Sequence, residues 1–374
     1  MNIVYIISGT SWAPQYEWTA RGLKSIHGIE IGFLILYKEV PDLLKQLSNA
    51  KFETKFIQCR NKKDWPKAFF TIIFYLIKNK VKIIHTHCIE ANILGQSAGF
   101  LIGVPERIST RHHSMIHHTQ HRKSIIWDYM TNFLCTKIVS VSKNITSILV
   151  NYEGIRDDKI IEIPHSIDID KFNYTSLENK ENIRNKYNLV DEKYIIGICS
   201  RFEYCKGYDY IIPALGKFLK KNKNAYALFF NSWGVQYDHI MNLSNEHLPD
   251  SSFKYVDQIE TNMQDAYAIM NIFIHTPINP EEEAFGMVYI ESMASGIPCI
   301  FSLAGIASQV VRDKENAIVV PHRNSEKIFE ALELLYKNEY LANRISQQAK
   351  IDVKKYFNKK RMITDLSKLY LENK

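Results

Sequence analysis

The sequence predicts an α/β protein with two Rossmann-like domains facing across an interdomain cleft, and three observations carry that prediction. Short apolar, β-branched runs alternate with stretches long enough for a helix. The alternation breaks once, at a polar tract, and then restarts. The chain has 374 residues, more than a single hydrophobic core usually organises.

The first run, NIVYIIS (Asn2 to Ser8), is followed by Gly9 and a long mixed segment ending near His27. EIGFLIL, TKFIQC, VKIIH, ERIST and KIVSVS follow, with helix-length stretches such as Ala91 to Ile102 and Ile125 to Cys135 between them. The tract DKFNYTSLENKENIRNKYNLVDE (Asp170 to Glu192) is rich in Asn and Lys and reads as a linker with one short helix. YIIGICS, NAYALFF, FKYV, NIFIH, PCIF and NAIVV then resume the pattern. The domains expected are residues 1–175 and 190–354. In open parallel sheets ligands bind at the carboxyl ends of strands, so chemistry is sought just after each run.

Composition excludes several classes. An apolar fraction of 46% with 23% charged residues is that of a folded protein, not a disordered one. Six scattered cysteines without a Cys-x-x-Cys pair point to a reducing compartment. The start MNIVYIISGT lacks a basic export region. The most apolar stretch, Ala68 to Ile77, has ten residues, half of the ~20 needed to span a bilayer. A cytoplasmic protein is expected.

Charge is unevenly placed. Residues 1–150 hold 19 Lys/Arg and 9 Asp/Glu, net +10, whereas residues 151–374 hold 28 and 31, net −3. Lys62, Lys63, Lys67, Lys78, Lys80 and Lys82 surround the apolar stretch, and residues 351–374 add 7 Lys/Arg against 3 Asp/Glu. This grouping suits peripheral contact with an anionic membrane at the inner face of the cell membrane. A buried Rossmann helix with solvated lysines at its ends is the competing reading. No feature suggests nucleic acid as partner.

EEEAFGMVYIESMASGIP (Glu281 to Pro298) is the most informative stretch. Gly286 opens a helix that stops at Gly296, and its first backbone N–H groups, near Phe285, Gly286 and Met287, carry the positive end of the dipole. That is an anion site, suited to a diphosphate. Glu291 lies five residues into the helix, ~7–8 Å along its axis; as a carboxylate it can accept two hydrogen bonds from a ribose diol. Glu283, outside the helix, can hold sugar hydroxyls. In CSRFEYCKGYDY (Cys199 to Tyr210), Arg201 and Lys206 follow a strand and can clamp the same diphosphate.

Glu283-x7-Glu291 within EAFGMVYIESMASGIP resembles the retaining, GT-B-fold glycosyltransferases of family 4. SRFEYCKG is similar to that family's G-R-x-x-x-x-K-G segment, and IPHSIDIDKF (Ile163 to Phe172) to its I-P-N-G-V-D-x-x-x-F segment, with His165 and Ser166 in place of Asn-Gly. GIASQVVRDKENAIVVP loosely matches a late G-x-x-E-x-V region, with Ser308 where an acid usually stands. SGTSWAP lacks the family's paired glycines, leaving Gly9 and Thr10 as phosphate neighbours. The resemblance implies an N-terminal acceptor domain, a C-terminal donor domain, and a last helix (355–374) crossing back to the first. It also implies a nucleotide-sugar co-substrate, UDP-sugar favoured, retention without a divalent metal or other cofactor, and a glycan or lipid-linked acceptor of bacterial surface polysaccharide or glycoconjugate synthesis. Arg201, Lys206, Glu283 and His112 are the catalytic group it implies.

RHHSMIHHTQH (Arg111 to His121) places five histidines in ten positions. His112, at the end of ERIST, matches a family histidine near the donor sugar, and His113 is its neighbour on the acceptor side. His113, His117 and His121 are spaced for one helical face, but the cationic loop offers no carboxylate before Asp128, so no metal site is expected. His117, His118 and His121 read as a solvated, mobile loop. His85 and His87 in VKIIHTHC follow a strand; His87 is a candidate acceptor contact, or a structural histidine. Rival readings are another nucleotide-sugar enzyme of the same fold (an epimerase or phosphorylase), a catalytically silent nucleotide-sugar-binding protein, and a metallohydrolase on the histidine loop.

Overall fold

The computed structural model describes residues 3–173, 176–189, 193–256 and 263–371. The expected domain limits at 175, 190 and 374 lie outside the described residues. The chain divides into two compact units, Met1–His165 with Lys359–Lys374, and Ser166–Asn358.

The first unit carries a seven-stranded sheet, β1 (Ile3–Ser8), β2 (Ile31–Tyr37), β3 (Thr54–Gln58), β4 (Ile83–His87), β5 (Glu106–Arg111), β6 (Lys137–Ser140) and β7 (Ile160–Glu162). Its spatial order is β3-β2-β1-β4-β5-β6-β7, every pair parallel. β7 escaped the sequence reading: at the sheet's edge, with Ile160 and Ile161 half-buried and Glu162 exposed, it is too short to show a period.

Side-chain alternation sorts β1 onto two cores. Ile3, Tyr5 and Ile7 pack with the helices Pro14–His27 and Lys359–Leu371. Val4 and Ile6 face the opposite way, against the helices Trp65–Lys78 and Ile89–Leu101. The basic carboxyl-terminal helix and the apolar Ala68–Ile77 stretch, grouped in the sequence reading, therefore lie on opposite faces of this sheet.

The second unit carries a six-stranded parallel sheet: β8 (Tyr194–Cys199), β9 (Ala225–Phe230), β10 (Phe253–Val256), β11 (Ile272–His275), β12 (Cys299–Phe301) and β13 (Ile318–Val319). The order is β10-β9-β8-β11-β12-β13. Ile196, Ile198, Phe229, Ile274 and Ile300 meet the amphipathic helices Tyr208–Lys221 and Ser325–Lys337 in one core. Near-continuous apolar strands are what a sheet covered on both faces requires. The six cysteines are unpaired.

Candidate functional site

In the second sheet the chain runs from β8 outward to β9 and β10, then returns to place β11 on β8's other side. Loops after β8 and β11 leave the edge in opposite directions, which opens a crevice at this switch point. Lys206 follows β8, and His275 and Glu283 follow β11. The loops approach closely at Gly207 (φ 79°), where a Cβ would stand 2.3 Å from the Thr276 carbonyl oxygen.

Glu283 is buried, and its Oε1 accepts from Lys206 Nζ at 2.5 Å and His275 Nε2 at 3.0 Å. Burial alone would raise the Glu283 pKa, but the Lys206 ammonium and the His275 bond outweigh it and hold the carboxyl well below its usual range. Burial likewise opposes the charge on Lys206, and Glu283 holds its pKa above the ordinary value. The His275 imidazole is pushed down by burial, so it meets the carboxylate as a neutral Nε2–H donor. Sequence reasoning missed His275, which ended an apolar run and was read as strand.

The helix Met287–Ser295 begins at Gly286 (φ 83°) without a side-chain cap and ends at Gly296 (φ 72°). Its uncapped amino terminus is a donor site for an anion. Phe285 is buried, its carbonyl bonded by the Ile306 N–H at 2.9 Å. A Cβ on Gly305 would stand 2.8 Å from Glu283 Cβ, so the loop after β12 closes directly on the Glu283 loop.

Arg201 is placed differently from Lys206. Its side chain is half exposed, 2.8 Å from Glu203, with its guanidinium over the Trp233 ring. Glu291 departs from expectation in charge. Burial pushes its pKa up to about 7, and the Tyr267 hydroxyl donates to Oε2 at 3.1 Å. The sequence reading treated it as an ordinary ionised carboxylate; a helix position gives no sign of such desolvation.

The first sheet has its own switch point, between β1 and β4. Gly9 (φ 69°) is exposed and has open space where a side chain would stand, while the Thr10 hydroxyl donates to the Trp12 carbonyl at 3.2 Å. After β4, Cys88 adopts φ 71°, an uncommon conformation for a residue with a Cβ, of the kind that gathers at functional sites.

Four histidines converge beside it. His85 is structural: Nδ1 meets the Tyr370 hydroxyl at 2.6 Å and Nε2 the Thr110 hydroxyl at 2.7 Å. Burial pushes its pKa down to about 3. His87 Nδ1 lies 3.1 Å from His112 Nε2, and His112 stacks on His165 with ring centroids 5.3 Å apart. Burial lowers all three of these imidazoles, His165 to about 4. The His87–His112 bond thus joins two neutral rings, one donating and one accepting. His87 Nε2 is buried without a hydrogen-bond partner.

The rest of the histidine loop is not the solvated segment expected. His113 Nε2 lies 3.1 Å from Asp128 Oδ1, His117 Nδ1 lies 2.7 Å from Oδ2, and His118 Nε2 lies 3.1 Å from Glu153 Oε1. Arg111, buried, joins both acids, at 3.2 Å to Asp128 and 2.5 Å to Glu153. Asp128 came from the next helix, Ile125–Leu134, and Glu153 from beyond β6, so spacing within the loop could not reveal them. His121 alone of that trio is exposed. His113 therefore points into a buried polar network, which does not favour it as an acceptor contact. Among the described residues, His113, His117 and Asp128 form the group whose ligand atoms could meet one ion. The Arg111 guanidinium already occupies Asp128, so the donor set suits an ion pair better than a divalent cation.

Two family models match: Glycosyltransferase Family 4 over residues 36–171 and Glycosyl transferases group 1 over residues 179–352. An uncharacterized glycosyltransferase of Methanocaldococcus jannaschii is 24% identical over 228 residues, 60% of this chain and 57% of that protein. The capsular polysaccharide biosynthesis glycosyltransferase CapM of Staphylococcus aureus is 22% identical over 81% of this chain and 80% of its own. UDP-Gal:alpha-D-GlcNAc-diphosphoundecaprenol alpha-1,3-galactosyltransferase of Escherichia coli is also 22% identical, covering 82% and 79%. Among solved structures, Anabaena HepE in complex with UDP-glucose superposes with a TM-score of 0.83 at 15% identity, over 99% of both chains.

Proposed function

We infer the reaction from one premise: the chain belongs to glycosyltransferase family 4, the glycosyl transferases group 1, and is a GT-B-fold glycosyltransferase that uses a nucleotide sugar. We propose that the donor is a UDP-sugar, that transfer retains the anomeric configuration without a divalent ion, and that the acceptor is a glycan or lipid-linked sugar of surface polysaccharide synthesis. The relatives named above for capsule synthesis and for a diphosphoundecaprenol acceptor support the last point.

The observation that carries the reading is the Lys206–Glu283–His275 cluster at the β8/β11 switch point, beside the uncapped helix at Gly286. Breaking the anomeric bond leaves charge on the departing phosphate, and preorganised donors at that point do the main stabilising. Lys206 and the amides at Phe285 to Met287 supply that stabilisation, and Arg201, on a half-exposed side chain, closes onto the diphosphate. Glu283, held ionised and fixed by two donors, orients the sugar hydroxyls. Glu291 accepts from the ribose diol, and His112 meets the sugar or its phosphate as a neutral imidazole. Gly9 and Thr10 remain as phosphate neighbours, and His87 as an acceptor contact.

A thermal-shift panel of nucleotide sugars, followed by product analysis with and without acceptor, tests this. Stabilisation by UDP-sugars and acceptor-dependent release of UDP are expected. Turnover of the nucleotide sugar without acceptor, to an epimer, would replace transfer by epimerisation.

A further inference from the structure

The helices Trp65–Lys78, Ile89–Leu101 and Ile125–Leu134 cover one face of the first sheet. Ile125–Leu134 joins them because Asp128 reaches Arg111 from the face opposite Ile108. Their outward sides are apolar. On the first helix, Phe70, Phe74 and Ile77 are exposed, Phe74 at 70%. There the spacing is i, i+4, i+7; on the third, Ile126, Tyr129 and Phe133 stand exposed at i, i+3, i+7, again one helical face, with Phe133 at 77%. Phe100 and Leu101 stand exposed at the end of the helix between them. The Trp65 and Trp127 rings meet at 5.7 Å and tie the outer two helices together. A monomer rarely leaves so many large apolar side chains on one layer without a partner.

The charges on this layer decide which partner. Exposed Lys62, Lys63, Lys67 and Lys78 flank the first helix, and exposed Arg122 and Lys123 precede the third. The acids within these stretches are already engaged: half-buried Asp64 accepts the Arg60 N–H at 2.8 Å, and Asp128 is buried on Arg111. Apolar side chains ringed by cations of one sign fit an anionic bilayer interface, where aromatic and aliphatic groups enter the acyl boundary and lysines meet phosphates. A self-association surface would instead need acids to answer those cations.

We propose that this three-helix face docks the protein on an anionic lipid membrane. A cavity of about 260 Å³ opens beside it, at the carboxyl ends of β1 to β3, with Lys38, Arg60, Lys62, Glu90 and Trp65 in its wall. Trp65 belongs to both the cavity and the apolar face. A phosphate-bearing lipid head in that cavity leaves its tail at the face, which deepens the lipid-linked reading of the acceptor. Docking itself is measured without donor or acceptor, so it can fail while sugar transfer stands.

The test is co-sedimentation of the full chain with phosphatidylglycerol–phosphatidylcholine vesicles at low and high salt, against pure phosphatidylcholine. Binding to the anionic vesicles, weakening steeply with salt, is expected. F74E/F133E, two exposed positions, should lower vesicle affinity about tenfold or more with UDP affinity and melting temperature unchanged. K67E/K78E should weaken binding to anionic vesicles only. A protein that stays in the supernatant at low salt overturns the proposal, as does equal binding by F74E/F133E. A wild-type dimer that F74E/F133E converts to monomer, without vesicle binding, would give the face to a second copy of the chain.

Discussion

Lys206 and Glu283, separated by 77 residues in sequence, meet at 2.5 Å with His275 on the same carboxylate oxygen. Both side chains are largely buried, so neither charge is independent of the other. Lys206→Ala leaves a buried carboxylate without its cation, and should cost about 3 kcal/mol of stability as well as activity. Lys206→Met with Glu283→Gln should recover most of that stability and none of the transfer. Denaturant unfolding and donor calorimetry on both single variants and the pair check this. Stability unchanged in Lys206→Ala would show that solvent, not Glu283, is the partner of Lys206.

Transfer should proceed at full rate in chelator-treated enzyme. In the proposed reaction Lys206, Arg201 and the helix amides would meet the β-phosphate charge. The His113, His117 and Asp128 group is held by Arg111. An activity that disappears with chelator and returns with Mn²⁺ or Mg²⁺ would assign the diphosphate to a metal instead.

How much was legible follows from how local each signal is. NIVYIIS and NIFIH read as strands because a buried parallel strand is a continuous apolar run, whereas IIE at β7 is too short to stand out. Gly286 and Gly296 bracket their helix visibly, because each takes a positive φ at a helix end. Tyr267 could not be paired with Glu291, nor Arg111 with Glu153, since those meetings are made by tertiary packing. Desolvation follows the same rule: Glu291 looks solvated on a helix wheel and is half-buried and desolvated in the fold. The apolar stretch Ala68–Ile77 has a face in the core, as the buried-helix reading expects, and a second face outside it. Ile72, Ile73 and Leu76 face the core, and Phe70, Phe74 and Ile77 face out.

Arg111 should be a stability residue. Asp128 and Glu153 are buried, and Arg111 is the guanidinium they share. Arg111 and His113 help to hold the Asp128 pKa down to about 2 against burial. Arg111→Met removes the shared cation and should destabilise the fold by about 3–5 kcal/mol, the range for a buried pair deprived of one member. Thermal unfolding measures it. A variant as stable as wild type would mean that the histidines, with Asn132 on Glu153, can carry both acids.

Glu291 should set the pH dependence near neutrality. Its folded pKa is about 7 against an ordinary 4.5, raised by burial. For an acid shifted upward the folded state binds more protons than the unfolded one, so stability is greatest at low pH and declines as pH rises from 4.5 through 7. In the proposed donor complex the ribose diol needs the ionised form to accept its two hydrogen bonds, so donor affinity should rise over the same interval. Glu291→Gln separates the two effects. At pH 8 it should stabilise the free protein by about 1–3 kcal/mol, because a buried charge is gone, and weaken donor binding by about tenfold through loss of a charge-assisted bond. Half-buried His112, its pKa well below the usual histidine value, should contribute no inflection between pH 6 and 8. Donor affinity by calorimetry across that range, in wild type and Glu291→Gln, is the measurement. A wild-type inflection near pH 7 that survives Glu291→Gln would move the titration to another group and take the ribose away from Glu291.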